Sequence, residues 1–207
     1  MRRFFTTVAV IAMVAAPAVA YAQERVGAGR IEVAGFPTGG MFFTGPSNNQ
    51  EPKFENYALG AAFTYNLNPY FGLEGEFGNA VGVHQKITFG DNVLTDQRSP
   101  SLWAYAGNVV VNPIGSNRII VPYATGGLGG MTLREKNDIR NLGVVDNTTY
   151  FAGNVGGGVK WFAHRYFGLR GDYRLVMVND RATAPEFFGR HDVRYGHRVY
   201  GGLLFTY

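Results

Sequence analysis

The residues that could carry catalysis or bind a metal are few in this sequence of 207 residues. A nucleophilic site needs a hydroxyl or thiol, a base, and a third group that orients the base. Cysteine is absent, and no serine stands in a His-x-Ser pattern or beside a paired acid. The serines beyond residue 22 are Ser47, Ser99, Ser101 and Ser116, and the histidines are His84, His164, His191 and His197. No two histidines share one element at ligand spacing, so we expect no metal site. The sequence predicts no catalytic residue and no cofactor, and we expect a protein that is not an enzyme.

Two glycine-rich segments, 126–130 and 153–158, could suggest a loop that cradles phosphate. Such a loop requires Gly-Lys-Ser/Thr at its end and a following helix, and neither segment has them. Glycine within a strand instead allows close approach of neighbouring groups. We therefore interpret both segments as strand packing.

The composition limits the class of protein. Charged residues make up 16%, against roughly 25% in soluble domains, while aromatic residues reach 14% and glycine 29 of 207. This balance excludes a disordered chain, and the absence of cysteine excludes a disulfide framework. Lysine and arginine form no dense cluster, so we expect no nucleic-acid partner.

The first segment is typical of targeting. Arg2 and Arg3 precede an apolar run from Val8 to Ala20, which is too short for a membrane-spanning helix of about 20 residues. A small-x-small pattern at Ala20-Tyr21-Ala22 predicts a secretory signal peptide, residues 1–22, cut after Ala22, with Ala20 as the alternative. A membrane anchor or a buried first helix is the competing interpretation. Residues 23–207 would then form one exported domain without any spanning helix.

Period-2 alternation predicts eight strands in the remaining chain. Residues 57, 59, 61, 63 and 65 are apolar, whereas the positions between them are small or polar. The predicted strands are 30–43, 56–66, 71–83, 100–112, 119–134, 148–162, 167–179 and 192–207, the first irregular at Pro37. Three short turns (66–70, 113–117, 163–166) alternate with four long polar loops (45–55, 84–99, 135–147, 180–191). This alternation places all long loops at one end of an up-and-down meander.

An internal repeat supports this division. YFGLEGEF at 70–77 recurs as YFGLRGDY at 166–173, and each copy opens a strand after a short turn. The repeat predicts that the two segments occupy equivalent hairpins.

The alternation also separates charged from apolar side chains. One face carries the charged residues Glu74, Glu76, Lys160, Arg170, Asp172, Arg174 and Arg198. A soluble barrel would turn these charges outward, but a membrane barrel turns them into its lumen. Aromatic residues cluster at strand ends, as in the interfacial girdles of membrane barrels: Tyr65, Tyr70, Trp103, Trp161 and Tyr166. We predict a lumen filled by paired charges, with a gate for a small conductance as the alternative.

Three segments resemble a known family: 68–74 (NPYFGLE), 121–129 (VPYATGGLG) and 202–207 (GLLFTY). The sequence is similar to the small eight-stranded outer-membrane β-barrels of the OmpA/OmpX type. The resemblance implies an all-β, eight-stranded antiparallel up-and-down transmembrane β-barrel in the outer membrane of a Gram-negative cell. It also implies contact with outer-membrane lipid, lipopolysaccharide and the outer-membrane assembly machinery. Gly202, Phe205 and Tyr207 would carry the assembly signal, although Tyr stands where Phe is more usual.

We expect a structural or surface-interaction role in which the four extracellular loops contact a ligand. The apolar pair Phe187-Phe188 in the last loop is a candidate contact, or else a girdle element that dips into the interface. The alternative is a small porin-like channel. A lipid-modifying enzyme and a soluble lipocalin-like barrel remain as weaker alternatives.

Overall fold

The computed structural model describes residues 29–44, 54–89, 92–134, 148–179 and 193–207. The predicted signal peptide, most of three long loops and Phe187-Phe188 lie outside these residues. Within the described ranges the regular structure is entirely β-strand. No helix among them is long and apolar enough to cross a membrane.

Ten strands are present, and eight of them correspond to those predicted. The strands are β1 Ile31–Thr44, β2 Phe54–Asn66, β3 Phe71–Gly82, β4 His84–Phe89, β5 Asn92–Arg98, β6 Ser101–Val111, β7 Ile120–Arg134, β8 Thr148–His164, β9 Phe167–Val178 and β10 Arg194–Thr206. Every predicted strand agrees to within two residues at each end.

Eight strands form a closed antiparallel barrel in the order β1-β10-β9-β8-β7-β6-β3-β2. Each barrel strand pairs with the barrel strands before and after it in the chain, and β1 closes the barrel against β10, with Glu32 opposite Thr206. The predicted eight-stranded up-and-down barrel is therefore confirmed. The register shifts around Pro37 on both sides of β1, as its missing N–H led us to expect.

The three short turns lie at one end of the barrel, which we call the turn end; the opposite end is the loop end. In the turn between β2 and β3, Asn68 Oδ1 accepts hydrogen bonds from the amides of Tyr70 (2.8 Å) and Phe71 (2.9 Å). Asparagine favours such turns because its side chain mimics a backbone acceptor. Between β6 and β7, Gly115 has a φ of 76°, a conformation that favours glycine.

The segment 84–99, predicted as a long polar loop, contains a hairpin of β4 and β5. Most of its residues are polar and only 87–89 alternate in polarity, which is why we interpreted the segment as a loop. The hairpin is tied to the barrel at β2. Gln85 Oε1 accepts from the Glu55 amide at 2.9 Å, and its Nε2 donates to the Glu55 carbonyl at 2.6 Å.

The two faces of the wall differ as the alternation predicted. In β3 and β9 buried and exposed residues strictly alternate along the first half of each strand. Large apolar side chains point outward, among them Phe63, Leu73, Leu128, Val155 and Leu203. Because apolar residues are exposed around the wall while charged residues are buried, the barrel is inverted relative to a soluble one.

Glycines on the inner face make room for one aromatic ring. Tyr200 of β10 stacks on Phe36, with ring centroids 4.9 Å apart, and its hydroxyl donates to the Leu59 carbonyl at 3.2 Å. A Cβ at Gly39 would lie 2.5 Å from the Tyr200 ring, and one at Gly78 would lie 2.5 Å from its hydroxyl. At Gly39 a Cβ would also lie 2.4 Å from the Val199 carbonyl oxygen, so both the ring and the neighbouring backbone favour glycine there, whereas at Gly78 the nearest atom is the tyrosine hydroxyl.

Candidate functional site: the charged barrel interior

The structure buries all seven charged residues that the sequence placed on the inner face. Six of them form one cluster near the middle of the barrel, and the seventh, Lys160, lies in a separate pair nearer the turn end. The cluster joins the side chains of β3, β9 and β10: Glu74, Glu76, Arg170, Asp172, Arg174 and Arg198.

The centre of the cluster is a closed ring of two cations and two anions, which we call the ion ring. Arg170 bonds Glu74 at 2.6 Å and Asp172 at 2.9 Å. Arg174 completes the ring, with Nη2 2.7 Å from Glu74 and Nε 2.9 Å from Asp172. The four side chains are almost fully shielded from solvent, so every charge depends on its partners in the ring.

A short chain of charges extends the ion ring towards the loop end. Arg174 also bonds Glu76 at 2.5 Å, and Glu76 in turn pairs with Arg198. The Arg198 guanidinium lies 4.7 Å from the Tyr200 ring. Arg198 is thereby held between an acid and an aromatic face.

Lys160 pairs with Glu32, a residue that we had not assigned to the network. Their Nζ and Oε2 atoms are 2.6 Å apart, and both side chains are fully buried. Asn66 Nδ2 donates to the other Glu32 oxygen at 3.0 Å. Glu32 shares its inward parity in β1 with Ala34 and Phe36, a signal that the sequence contains.

Uncharged polar residues complete the cluster, and we had not singled them out. The Tyr123 hydroxyl donates to Asp172 at 2.6 Å and accepts from Arg170 Nε at 2.8 Å. Asn108 Nδ2 donates to Glu74 at 3.2 Å, and Thr64 donates to the same carboxylate at 3.1 Å. These bonds add second donors to carboxylate oxygens that the arginines already contact, which helps to satisfy the several lone pairs of buried carboxylates.

A mostly apolar layer lies in the interior between the ion ring and the loop end, with the buried Arg194 guanidinium 5.1 Å from the Phe43 ring. It consists of Met41, Phe43, Leu102, Met131, Leu133, Tyr150, Val176 and Val178, all of them buried. A cavity of about 20 Å³ lies between this layer and the cluster, against Glu76, Arg198 and Asn154. A cavity of that size holds about one water molecule.

The predicted girdle residues lie at both ends of the outer face. Tyr65, Tyr70, Trp161 and Tyr166 are exposed near the turn end. Trp103 is half-buried near the loop end, where the Arg134 guanidinium lies 5.4 Å from its ring.

The residues of the predicted assembly signal occupy the last strand and its end. Tyr207 exchanges backbone hydrogen bonds with Ile31 at 2.9 and 3.0 Å, and Phe205 packs outward near Phe167, with ring centroids 6.4 Å apart. Gly202 faces inward, where a Cβ would lie 2.0 Å from the Gly35 carbonyl oxygen. Their recognition by the assembly machinery stays a prediction.

The two serines considered as nucleophiles, Ser99 and Ser101, form hydrogen bonds with backbone amides. Ser99 Oγ accepts from the Val83 amide at 3.0 Å and donates to Asn56 Oδ1 at 2.5 Å. Ser101 Oγ accepts from the Gly82 amide at 3.2 Å. His197 Nδ1 lies 2.7 Å from the Tyr173 hydroxyl on the outer face. Across the described ranges, no three His, Asp or Glu side chains are grouped as metal ligands.

A closed barrel with an apolar outer face and a charged interior defines the class of small outer-membrane β-barrels. The sequence model of the family described as outer membrane protein beta-barrel domain matches residues 6–196, and the chain belongs to that family. The family and its structural neighbours indicate the outer membrane of Gram-negative bacteria. None of the curated proteins compared with the chain matches it.

Solved structures share the fold at low sequence identity. The N-terminal β-barrel domain of Pseudomonas aeruginosa OprF is 13% identical with a TM-score of 0.54, over 88% of this chain and 100% of that one. Ail of Yersinia pestis, in complex with the heparin analogue sucrose octasulfate, is 12% identical with a TM-score of 0.54, over 87% and 99%. Neisserial surface protein A is 10% identical with a TM-score of 0.59, over 87% and 98%. At these identities the likeness shows the fold alone.

Proposed function

We propose that the protein is a closed outer-membrane barrel whose role is structural and whose loops contact ligands outside the cell. The single observation that carries the closed state is the ion ring, which crosses the interior from β3 to β9. Each of its charges has at least two charged partners, so opening a path requires several buried ion pairs to separate together.

The apolar layer provides a second barrier in series with the ion ring. Met41, Leu102, Met131 and Leu133 are each 1% exposed. An ion that passed this layer would meet mostly apolar side chains, and the buried Arg194 guanidinium, 5.1 Å from the Phe43 ring, would repel a cation. Losing hydration without full compensation is costly. Two barriers of different chemistry support a sealed lumen over a small porin-like channel.

The surface role rests on the end of the barrel that bears the long connections. The β4–β5 hairpin belongs to this end and is anchored through Gln85 and Ser99 to β2. Ail, which shares the fold, was solved with a heparin analogue bound. We propose that the loops of this chain likewise contact an extracellular ligand, with Phe187-Phe188 as a candidate contact.

The backbone bonds of Ser99 and Ser101 support a role other than catalysis. A serine nucleophile needs a hydroxyl that a base can deprotonate, whereas Ser99 already binds Asn56 and the Val83 amide. We therefore propose that the protein is not a lipid-modifying enzyme.

Export through a cleaved signal peptide and insertion by the assembly machinery complete the proposal. N-terminal sequencing of the protein from outer-membrane fractions should begin at Gln23. A start at residue 21 would select the alternative site, and retention of Arg2 and Arg3 would contradict cleavage.

Planar bilayers test the closed state directly. The full chain, refolded and inserted, should show no steady single-channel conductance. A large, steady conductance would overturn the sealed barrel in favour of the small channel.

Loop replacement tests the surface role. Bacteria that display the full chain should adhere to immobilised heparin or basement-membrane matrix better than bacteria without it. Replacing residues 181–190 with a Gly-Ser linker should lower this adhesion, while the same replacement of 46–52 serves as the matched control. Unchanged adhesion after both replacements would count against a loop-mediated role.

A further inference from the structure

Among the described residues, the turn end of the barrel exposes basic side chains and no acidic ones. Arg30, Arg118, His164 and Arg165 are exposed there. Among the described residues of this end, the one acidic side chain is Glu32, which is buried against Lys160. Apart from Glu24 and the four buried interior carboxylates, every acidic residue of the sequence lies in or beside the four long connections. The two ends therefore differ in charge.

The strongest feature of the turn end is a pair of basic side chains, Arg165 and His164, around the Tyr166 ring. The Arg165 guanidinium lies 4.4 Å from the centroid of the Tyr166 ring, and the His164 ring lies 5.6 Å from it. No carboxylate side chain of the described residues pairs with Arg165. A guanidinium on an aromatic face keeps its N–H groups free for a planar, bidentate acceptor.

The backbone that carries this pair is fixed by β10. The Thr206 hydroxyl donates to the Arg165 carbonyl, and the Thr206 amide donates to the Tyr166 carbonyl at 3.0 Å. Arg165 and His164 are thus presented on a turn whose backbone is held in place, which lowers the entropy lost when a ligand binds.

The turn between β8 and β9 is directly continuous with the apolar outer face of the barrel. Trp161, Phe167 and Phe205 are 46%, 41% and 51% exposed, and Phe167 pairs with His164 in the β8–β9 ladder. A molecule bound here would meet cations at the rim and an apolar wall along the barrel. That combination matches a phospholipid, with its phosphate at Arg165 and its acyl chains along the wall.

Short turns of outer-membrane barrels face the periplasm, so this rim lies at the inner leaflet. We propose that the turn end is a binding surface for anionic phospholipid headgroups, with Arg165, His164 and Tyr166 forming the principal site. Arg118 forms a second position on the next turn, where its Nε donates to the Ile114 carbonyl at 3.3 Å beside the exposed Ile119.

Native mass spectrometry of the folded full chain in detergent tests the proposal. The wild-type protein should retain dioleoyl-phosphatidylglycerol in preference to dioleoyl-phosphatidylethanolamine, which has the same acyl chains without net charge. Arg165→Gln should weaken phosphatidylglycerol binding about fivefold, the ratio for about 1 kcal/mol per arginine at an anionic surface. Arg118→Gln should act independently and to a similar extent.

Lys86→Gln is the matched control, because Lys86 is an exposed cation near the loop end. It should leave phosphatidylglycerol binding unchanged, and heat-dependent gel mobility should show that all variants are folded. Equal retention of both lipids by the wild type, or equal losses in Arg165→Gln and Lys86→Gln, would overturn the proposal.

Two further ligands separate the lipid from other anions. Inorganic phosphate at millimolar concentration should not displace phosphatidylglycerol, because the apolar wall contributes to lipid binding; displacement would overturn the lipid as the occupant. Purified peptidoglycan sacculi should bind the wild type and Arg165→Gln alike. If Arg165→Gln weakened binding to the sacculi but left phosphatidylglycerol binding unchanged, the proposal would be overturned in favour of the cell-wall polymer.

Discussion

Glu74 and Arg170 occupy equivalent positions in the two copies of the internal repeat, and their side chains meet inside the barrel. They are 96 residues apart in the sequence, yet Glu74 Oε2 and Arg170 Nη1 are 2.6 Å apart. Their strands, β3 and β9, lie on opposite sides of the closed barrel. At this one pair of matching positions the repeat carries opposite charges on facing walls, and their contact helps to close the interior.

The ion ring predicts a large stability cost for losing one of its charges. Glu74→Gln preserves the shape of the side chain but leaves Arg170 and Arg174 with a cation excess in a buried site. We expect the free energy of unfolding to fall by about 3 kcal/mol or more. Urea unfolding in detergent micelles measures it, with Lys86→Gln as an exposed control. A loss below about 1 kcal/mol would show that the ring is well hydrated.

Conductance should appear only when the ring is dismantled. Removing both guanidinium groups in Arg170→Ala with Arg174→Ala leaves Glu74 and Asp172 facing a wider space. The apolar layer stays in series with the widened space, so we expect only small, flickering currents in planar bilayers, against none in the wild type. Since the remaining charges are anionic, these currents should be cation-selective. A double variant that folds and stays silent would assign the seal to the apolar layer alone.

Gly78 lies beside the Tyr200 hydroxyl, so substitutions at these two positions should affect stability non-additively. A Cβ at Gly78 would meet that hydroxyl at 2.5 Å, and its next contact is 3.6 Å away. We expect Gly78→Ala to cost about 1–3 kcal/mol of unfolding free energy by overpacking. Tyr200→Phe removes the clashing oxygen, so the double variant should cost less than the sum of the two single variants.

Gly75→Ala is the control for that measurement. Gly75 is in the same strand but faces outward, and a Cβ added there would have no neighbouring atom within 4 Å. Its substitution should change the unfolding free energy by less than about 0.5 kcal/mol. Equal effects at Gly75 and Gly78 would attribute both to strand conformation instead of to the tyrosine.

An arginine placed on the outer face should lower the free energy of unfolding more when it lies deeper in the bilayer. Leu128 is 62% exposed in the middle of β7, whereas Leu67 is 50% exposed in the turn between β2 and β3. In a lipid bilayer Leu128→Arg should cost about 2–4 kcal/mol, and Leu67→Arg about 0–1 kcal/mol. Unfolding of both variants in lipid vesicles measures the difference. Equal costs would contradict a lipid-facing position for Leu128.

Local features were sufficient to predict the barrel. Alternation along residues 57–65 assigned the two faces, and the alternation of short with long connections determined the meander. These signals are readable because side chains in a strand alternate with a period of two whatever the strand pairs with. The β4–β5 hairpin escaped prediction because its polar residues resemble a loop when read without their pairing partners.

The sequence by itself determined the number of barrel strands and the inward parity of the charges. Only the tertiary structure decided which charges meet. Strand tilt and register set the height of each side chain along the barrel axis, and neither is contained in the alternation. Closure of β1 on β10 thus brought Glu32 to Lys160, while Tyr123 of β7 reached Asp172 of β9 across β8. The charge contrast between the two ends likewise emerged only when the turns were gathered on one rim, because their cations are far apart in the chain.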